Sequence, residues 1–175
     1  MDLKSTIRTI PDYPKPGIMF RDVTTLIENA DALREASRLL AEPYRNIGIS
    51  KVAGIEARGF IFGVAVALEL GAGFIPLRKP GKLPAETISE TYSLEYGEDE
   101  LHMHVGTVAE GEKVLLIDDL IATGGTAQAG LKLLRRSKAD IVAAAFVVDL
   151  PELGGADKLR AEGVDVFALL DFDGH

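Results

Sequence analysis

Residues 114 to 127, VLLIDDLIATGGTA, constrain the fold more than any other stretch. Four apolar residues, 114 to 117, run unbroken into two carboxylates, Asp118 and Asp119. A short apolar run bounded by turn residues reads as a strand buried on both faces, and such strands belong to parallel sheets covered by helices. The turn that follows, Ala122-Thr123-Gly124-Gly125-Thr126, opens a helix-like segment reaching about Arg135. Glycine lets the backbone come close to a ligand. The free N–H groups of a helix start attract anions, and threonine hydroxyls add donors. Paired carboxylates suit sugar hydroxyls and Mg²⁺, which takes oxygen ligands. Together these groups describe a site for a phosphorylated sugar. No GxxxxGK[ST] or GxGxxG follows a strand, so neither a P-loop triphosphatase nor a dinucleotide fold has direct support.

The rest of the chain alternates in the same manner. Residues 31 to 45 place Leu33, Ala36, Leu40 and Tyr44 at helical spacing, with Asn29 or Asp31 as the cap. Strands are predicted over 51–55, 74–77, 141–148 and 166–170, and helices over 60–70 and 155–162. Residues 79 to 97 are rich in Pro, Gly and charge, and Leu101, Met103 and Val105 then alternate. That pattern predicts a mobile loop and hairpin over 79–106. Strands alternating with helices imply an α/β fold, a parallel sheet flanked by helices on both faces. Ligands of such sheets bind at the carboxyl ends of the strands. There this sequence gathers Arg58-Gly59, Arg78-Lys79, Asp118-Asp119 and Asp149-Leu150.

Composition narrows the partners. A length of 175 residues suits one domain, 1–175. No 18-residue apolar run is present to span a membrane, and the first residues carry no secretory pattern. Nineteen basic against twenty-seven acidic residues give a net charge of −8, a poor generic match to nucleic acid. Cysteine is absent, which excludes disulfides and thiolate zinc and is compatible with a cytoplasmic location. His102 and His104 share a strand face, but no third ligand is evident, so they read as a solvated face.

The stretch 114–127 resembles the phosphoribosyl diphosphate (PRPP) signature of type I phosphoribosyltransferases. In order and spacing, PDYPKPGIMFRD (11 to 22), GIEARGFIFG (54 to 63), RKPGKLP (78 to 84), YSLEYG (92 to 97) and FVVDLPELGG (146 to 155) are similar to the adenine-specific members. The resemblance implies the type I fold, with an N-terminal hood over residues 1–25. It also implies an activity: transfer of ribose 5-phosphate from PRPP to N9 of adenine, giving AMP and pyrophosphate. Mg²⁺ would enter with the substrate rather than on dedicated protein ligands. A homodimer is implied, with one loop cation arriving from the neighbouring subunit.

The same resemblance distributes roles. Residues 122 to 126 would hold the 5-phosphate, and Asp118 and Asp119 the ribose. Arg58, Arg78, Lys79, Lys82 and Tyr96 would serve pyrophosphate. Taken alone, Arg58 reads as a solvent-facing arginine and the lysines as a charged loop. Glu95 would handle a proton on the purine, a kind of help typically worth about 10²–10⁴-fold. Backbone groups of Met19 and Arg21 would read the adenine edge, with Phe20 and Leu150 against the two ring faces. Each of those two, taken in isolation, also reads as a core residue.

Two other functions remain to be weighed. A 6-oxopurine enzyme is expected to carry a Lys just before a late strand-end aspartate. Here Val147-Val148 precede Asp149. A non-catalytic PRPP or purine sensor is expected to add a DNA-binding segment, and this acidic chain shows none.

Overall fold

The computed structural model describes residues 1–94 and 96–174. Its centre is a five-stranded parallel sheet of β3 (Lys51–Ile55), β4 (Gly73–Leu77), β7 (Lys113–Ile121), β8 (Asp140–Asp149) and β9 (Val166–Asp171), in the order β4-β3-β7-β8-β9. Two antiparallel hairpins flank it. One pairs β1 (Arg8–Pro11) with β2 (Met19–Asp22), and the other pairs β5 (Thr87–Ser93) with β6 (Glu98–His104). The helices are α1 (Thr24–Ile27), α2 (Ala30–Ala41), α3 (Arg58–Leu70), α4 (Gly125–Arg136) and α5 (Gly155–Ala161).

The expected two-sided burial of β7 is found. Leu115 and Ile117 join the core built with α2 and α3, through Ala36, Leu40, Phe62 and Val66. Val114 and Leu116 join the opposite core, with Leu131 and Leu134 of α4, Leu159 of α5, and Leu101 and Met103 of the hairpin. Successive strand residues point to opposite faces, so an unbroken apolar run is what a doubly covered strand requires. Each such side chain contributes roughly 1.5–3 kcal/mol of burial.

Several boundaries differ from the sequence expectation, each for a local reason. Helix α2 starts where Asn29 accepts from the Ala32 N–H at 3.1 Å. It ends at Ala41, and residues 42–44 form a 3-10 turn. Pro43 has no N–H to give and cannot continue the helix to residue 45. Strand β5 occupies residues 87–93, within the span 79–106 expected to hold a loop and hairpin. Its β-branched and aromatic residues pair with β6 despite the polar surroundings. The paired carboxylates lie within β7, since the strand runs on to Ile121. Val105 falls outside the hairpin and is exposed. His102 is less solvated than expected, with its ring 2.9 Å from Thr87 Oγ1 and 3.3 Å from Glu100 Oε2. Its backbone exchanges two hydrogen bonds with Arg78, which fastens the hairpin to the exit of β4.

Candidate active site

Parallel strands β3 and β7 are neighbours, but the chain leaves them toward opposite edges of the sheet. Such a point of reversal opens a crevice beyond the strand ends. Arg58, the first residue of α3, reaches across it and donates from Nε to Asp119 Oδ2 at 2.7 Å. Asp119 is buried while the Arg58 side chain remains about half exposed (48%). The Asp119 hydrogen bond, followed by its charge, raises the Arg58 pKa further. Asp118 accepts from the Asp119 N–H at 2.8 Å. Burial, and then the neighbouring Asp119 charge, pushes the Asp118 carboxyl well above the usual carboxylate range. Two adjacent carboxylates thus sit in unequal environments, with Asp119 paired to the guanidinium and Asp118 beside it. Gly59 makes this packing possible, because a Cβ there would stand 2.7 Å from Asp118 Oδ1.

Beyond β7 the chain turns through residues 122–126 into α4. Gly124 takes φ +90°, a left-handed conformation that glycine adopts without penalty. A cavity of about 200 Å³ is lined by Asp118, Ala122, Thr123, Gly124, Gly125 and Thr126. The first turn of α4 contributes the N-terminal N–H groups that favour anions. The loop is held from below by α5. Gly155 N–H donates to the Ala122 carbonyl at 3.0 Å, and Lys158 Nζ to the Thr123 carbonyl at 3.2 Å. A Cβ on Gly155 would lie 2.5 Å from the Ala122 oxygen. The sequence reading gave no role to Gly155 or to Gly59. The Gly-Gly doublet at 154–155, echoing 124–125, was the available signal.

A second, almost wholly apolar cleft of about 260 Å³ adjoins the loop. Met19, Phe20 and Arg21 line it from the β1–β2 hairpin, and Leu150 and Leu153 from the exit of β8. Ala122 lines both this cleft and the loop cavity. The hairpin is braced by the Arg8–Asp22 ion pair at 2.6 Å, and Tyr13 meets Phe20 edge to face at 5.1 Å.

Comparison with known proteins agrees with this geometry. Residues 22–168 match the family described as phosphoribosyl transferase domain. The adenine phosphoribosyltransferase of Bradyrhizobium sp. (strain ORS 278) is 61% identical over 175 residues, covering 100% of this chain and 98% of that one. The chain belongs to the adenine phosphoribosyltransferase family. The adenine phosphoribosyltransferase of Photobacterium profundum is 57% identical over 173 residues, 99% of each chain. Among solved structures, the family member from Thermoanaerobacter pseudethanolicus superposes with a TM-score of 0.92 at 44% identity, covering 98% of both chains. The Saccharomyces cerevisiae enzyme, complexed with an imino-altritol bisphosphate and adenine, gives 0.88 at 38% identity over 97% of both.

The remaining residues singled out for this family lie at the exit of β4 and in the segment that follows it. Arg78 Nε donates to Glu56 Oε1 at 3.1 Å, and its guanidinium lies 5.7 Å from the Phe60 ring centroid. The Lys79 N–H also binds Glu56, at 2.8 Å, whereas its ammonium binds Tyr92 Oη at 2.7 Å and Asp99. Lys79 is therefore engaged with the hairpin and not with Asp118 or Asp119. Lys82 is exposed. Tyr96 is 80% exposed, with Lys15 Nζ 5.4 Å from its ring. Glu95 lies outside the described residues. Glu56 and Asp99, the acceptors that hold these cations, were not anticipated from the sequence.

Proposed function

We propose that this chain transfers ribose 5-phosphate from PRPP to N9 of adenine, releasing AMP and pyrophosphate. One observation carries the reading: an apolar cleft fit for a base and a loop cavity fit for a phosphate share Leu120 and Ala122. A nucleotide has the same order, with its sugar between base and phosphate, and Asp118 belongs to the wall of the loop cavity.

In this reading the 5-phosphate binds residues 122–126. Asp118 and Asp119 bind the ribose hydroxyls and stabilise positive charge as the bond from the anomeric carbon to pyrophosphate breaks. Fixed charges of this kind act because they need little reorganisation in the transition state. Arg58 exchanges its Asp119 contact for a pyrophosphate oxygen, joined by Arg78, Lys79, Lys82 and Tyr96 when the segment 79–97 closes. Adenine lies between Phe20 and Leu150, its edge read by backbone groups of Met19 and Arg21. The N9 proton leaves as the new C–N bond forms, and Glu95 handles the purine proton.

The described residues contain no group of three or more His, Asp or Glu arranged around a metal ion. A Mg²⁺ would enter with PRPP, and the carboxylates Asp118 and Asp119 fit its preference for oxygen ligands. Bound there, the ion would stabilise the charge of the leaving pyrophosphate. A homodimer is supported by a row on α3, Ile61, Val64 and Leu68, all exposed at i, i+3 and i+7. Exposed apolar rows of this sort mark association surfaces. No helix among the described residues is long and apolar enough to cross a membrane. We place the enzyme in the cytoplasm, where a chain without cysteine loses nothing to reduction.

The test is a purine screen with PRPP and Mg²⁺, assayed for nucleotide. Adenine is expected to exceed hypoxanthine in kcat/KM by at least ~10³-fold, since a site built for one hydrogen-bond pattern leaves buried groups unpaired with the other. Comparable specificity for the two bases would reject the adenine assignment, and nucleotide from neither would reject the enzyme.

A further inference from the structure

The two walls of the base cleft come from distant parts of the chain, residues 18–21 and 150–153, and they belong to different sheets or loops. A two-stranded hairpin such as β1–β2 is marginal by itself, so its position depends on what ties it down. Residues 172 and 173, just after β9, are bonded to both walls. The Phe172 N–H donates to the carbonyl of Asp149 at 3.2 Å, the residue directly before Leu150. On the other side, the Arg21 guanidinium lies 4.6 Å from the Phe172 ring centroid and donates from Nη2 to the Asp173 carbonyl at 3.1 Å. Arg21 Nη1 donates to Thr9 Oγ1 at 2.6 Å, which carries the tie into β1. Lys4 Nζ lies 4.7 Å from the same ring. Phe172 is 8% exposed, so the inner face of its ring is largely shielded from water, while the Arg21–Asp173 hydrogen bond lies at the surface. Arg21 Nε is buried with no acceptor among the described residues, so the guanidinium sits where Phe172 and Asp173 hold it, not where its own hydrogen bonding is complete.

We propose that Phe172 is a positioning residue for base recognition: it latches the hairpin wall to the β8 wall and so fixes the width of the adenine cleft. The inference rests on the activity proposed above. Backbone groups that read a base edge must be held to about half an ångström, and a wall free to drift forfeits that. The phosphate loop is braced separately, by Gly155 and Lys158. Loss of the latch therefore weakens adenine selectively and leaves PRPP alone.

The experiment compares wild type with Phe172→Ala, Phe172→Leu and Phe172→Tyr, varying adenine and PRPP separately. A cation–ring contact shielded from water is worth enough to shift affinity by about tenfold or more. F172A is expected to raise the adenine KM about tenfold and to change the PRPP KM less than about twofold. F172L keeps the apolar volume without the ring and shifts in the same direction, while F172Y keeps the ring and stays near wild type. Should F172A not fold, F172L is judged by the same criterion. Unchanged adenine KM in F172A and F172L, or equal increases for both substrates, overturns the latch. Wild-type protein that makes no AMP from adenine overturns the activity itself, and the latch with it.

Discussion

Arg58 and Asp119 form an ion pair that spans the reversal point between β3 and β7, with Nε 2.7 Å from Oδ2. The pair joins the head of α3 to the interior of β7, residues 61 positions apart. Neither charge then faces the other carboxylate alone. In the proposed reaction an incoming pyrophosphate would replace Asp119 as the partner of Arg58 and free Asp119 for the sugar.

The double variant Asp118→Asn, Asp119→Asn is expected to fold and to lose nearly all turnover. Preorganised electrostatic groups are typically worth about 10²–10³-fold each. The measurement is steady-state AMP formation beside a circular dichroism spectrum. Near-normal activity in the double variant would remove the pair from the mechanism.

Asp118 also makes a prediction about pH. Its carboxyl is raised above the ordinary value of 3.8, by burial first and by Asp119 second. The folded state therefore holds a proton that the unfolded state gives up, and stability falls as pH rises from 3.8 toward the raised value. Above that value the cost is complete. Asp118→Asn keeps the oxygen that accepts the Asp119 N–H and removes the charge. It should raise the Tm at pH 8, with a gain that shrinks as pH falls toward 4. A Tm difference that is constant across this range would show that the Asp118 carboxyl is not raised.

Gly59→Ala tests the close approach of α3 to β7. The added methyl would meet Asp118 Oδ1 at 2.7 Å and Asp118 Cα at 3.2 Å, and the latter is backbone that cannot swing away. Overpacking of this kind costs about 1–3 kcal/mol. We expect a lower Tm and a larger loss in kcat than in adenine KM, since the carboxylate moves and the base cleft does not. A variant with wild-type kcat would mean that Asp118 tolerates displacement.

The segment 79–97 is expected to exchange its amide hydrogens more slowly when PRPP and Mg²⁺ are present. Lys79 is bound to Tyr92 and Asp99 of the hairpin, so under the proposed function its ammonium must change partners to reach pyrophosphate. Pyrophosphate offers a stronger acceptor and would draw the segment over the site. Identical exchange with and without ligand would exclude a lid.

The parts of this site that were readable in the sequence are those whose chemistry lies in consecutive residues. Asp118, Asp119 and the turn 122–126 are neighbours, and their order in the chain is their order in space. What escaped reading depends on long separations. Gly59 matters because of Asp118, Gly155 because of Ala122, and the Arg21 side chain because of Asp173, 152 positions away. No local pattern encodes such contacts. Periodicity likewise ran past Pro43 in α2, because apolar spacing continued to Tyr44 after the hydrogen bonding had stopped. The hairpin expected within 79–106 is present, but where its first strand begins was not legible: most residues of β5 are only partly buried, so the apolar alternation that marks a strand is faint.

In the proposed reading, base recognition and bond breaking are housed in separate pieces of the chain. The cleft walls lie at 18–21 and 150–153, outside the central strands, and the β7 segment adds Leu120 and Ala122 to the lining. The carboxylates and the phosphate turn sit on that segment and owe nothing to the hairpin. A lineage could therefore exchange one purine for another by rewriting two peripheral stretches, while the chemical engine passes unaltered from ancestor to descendant.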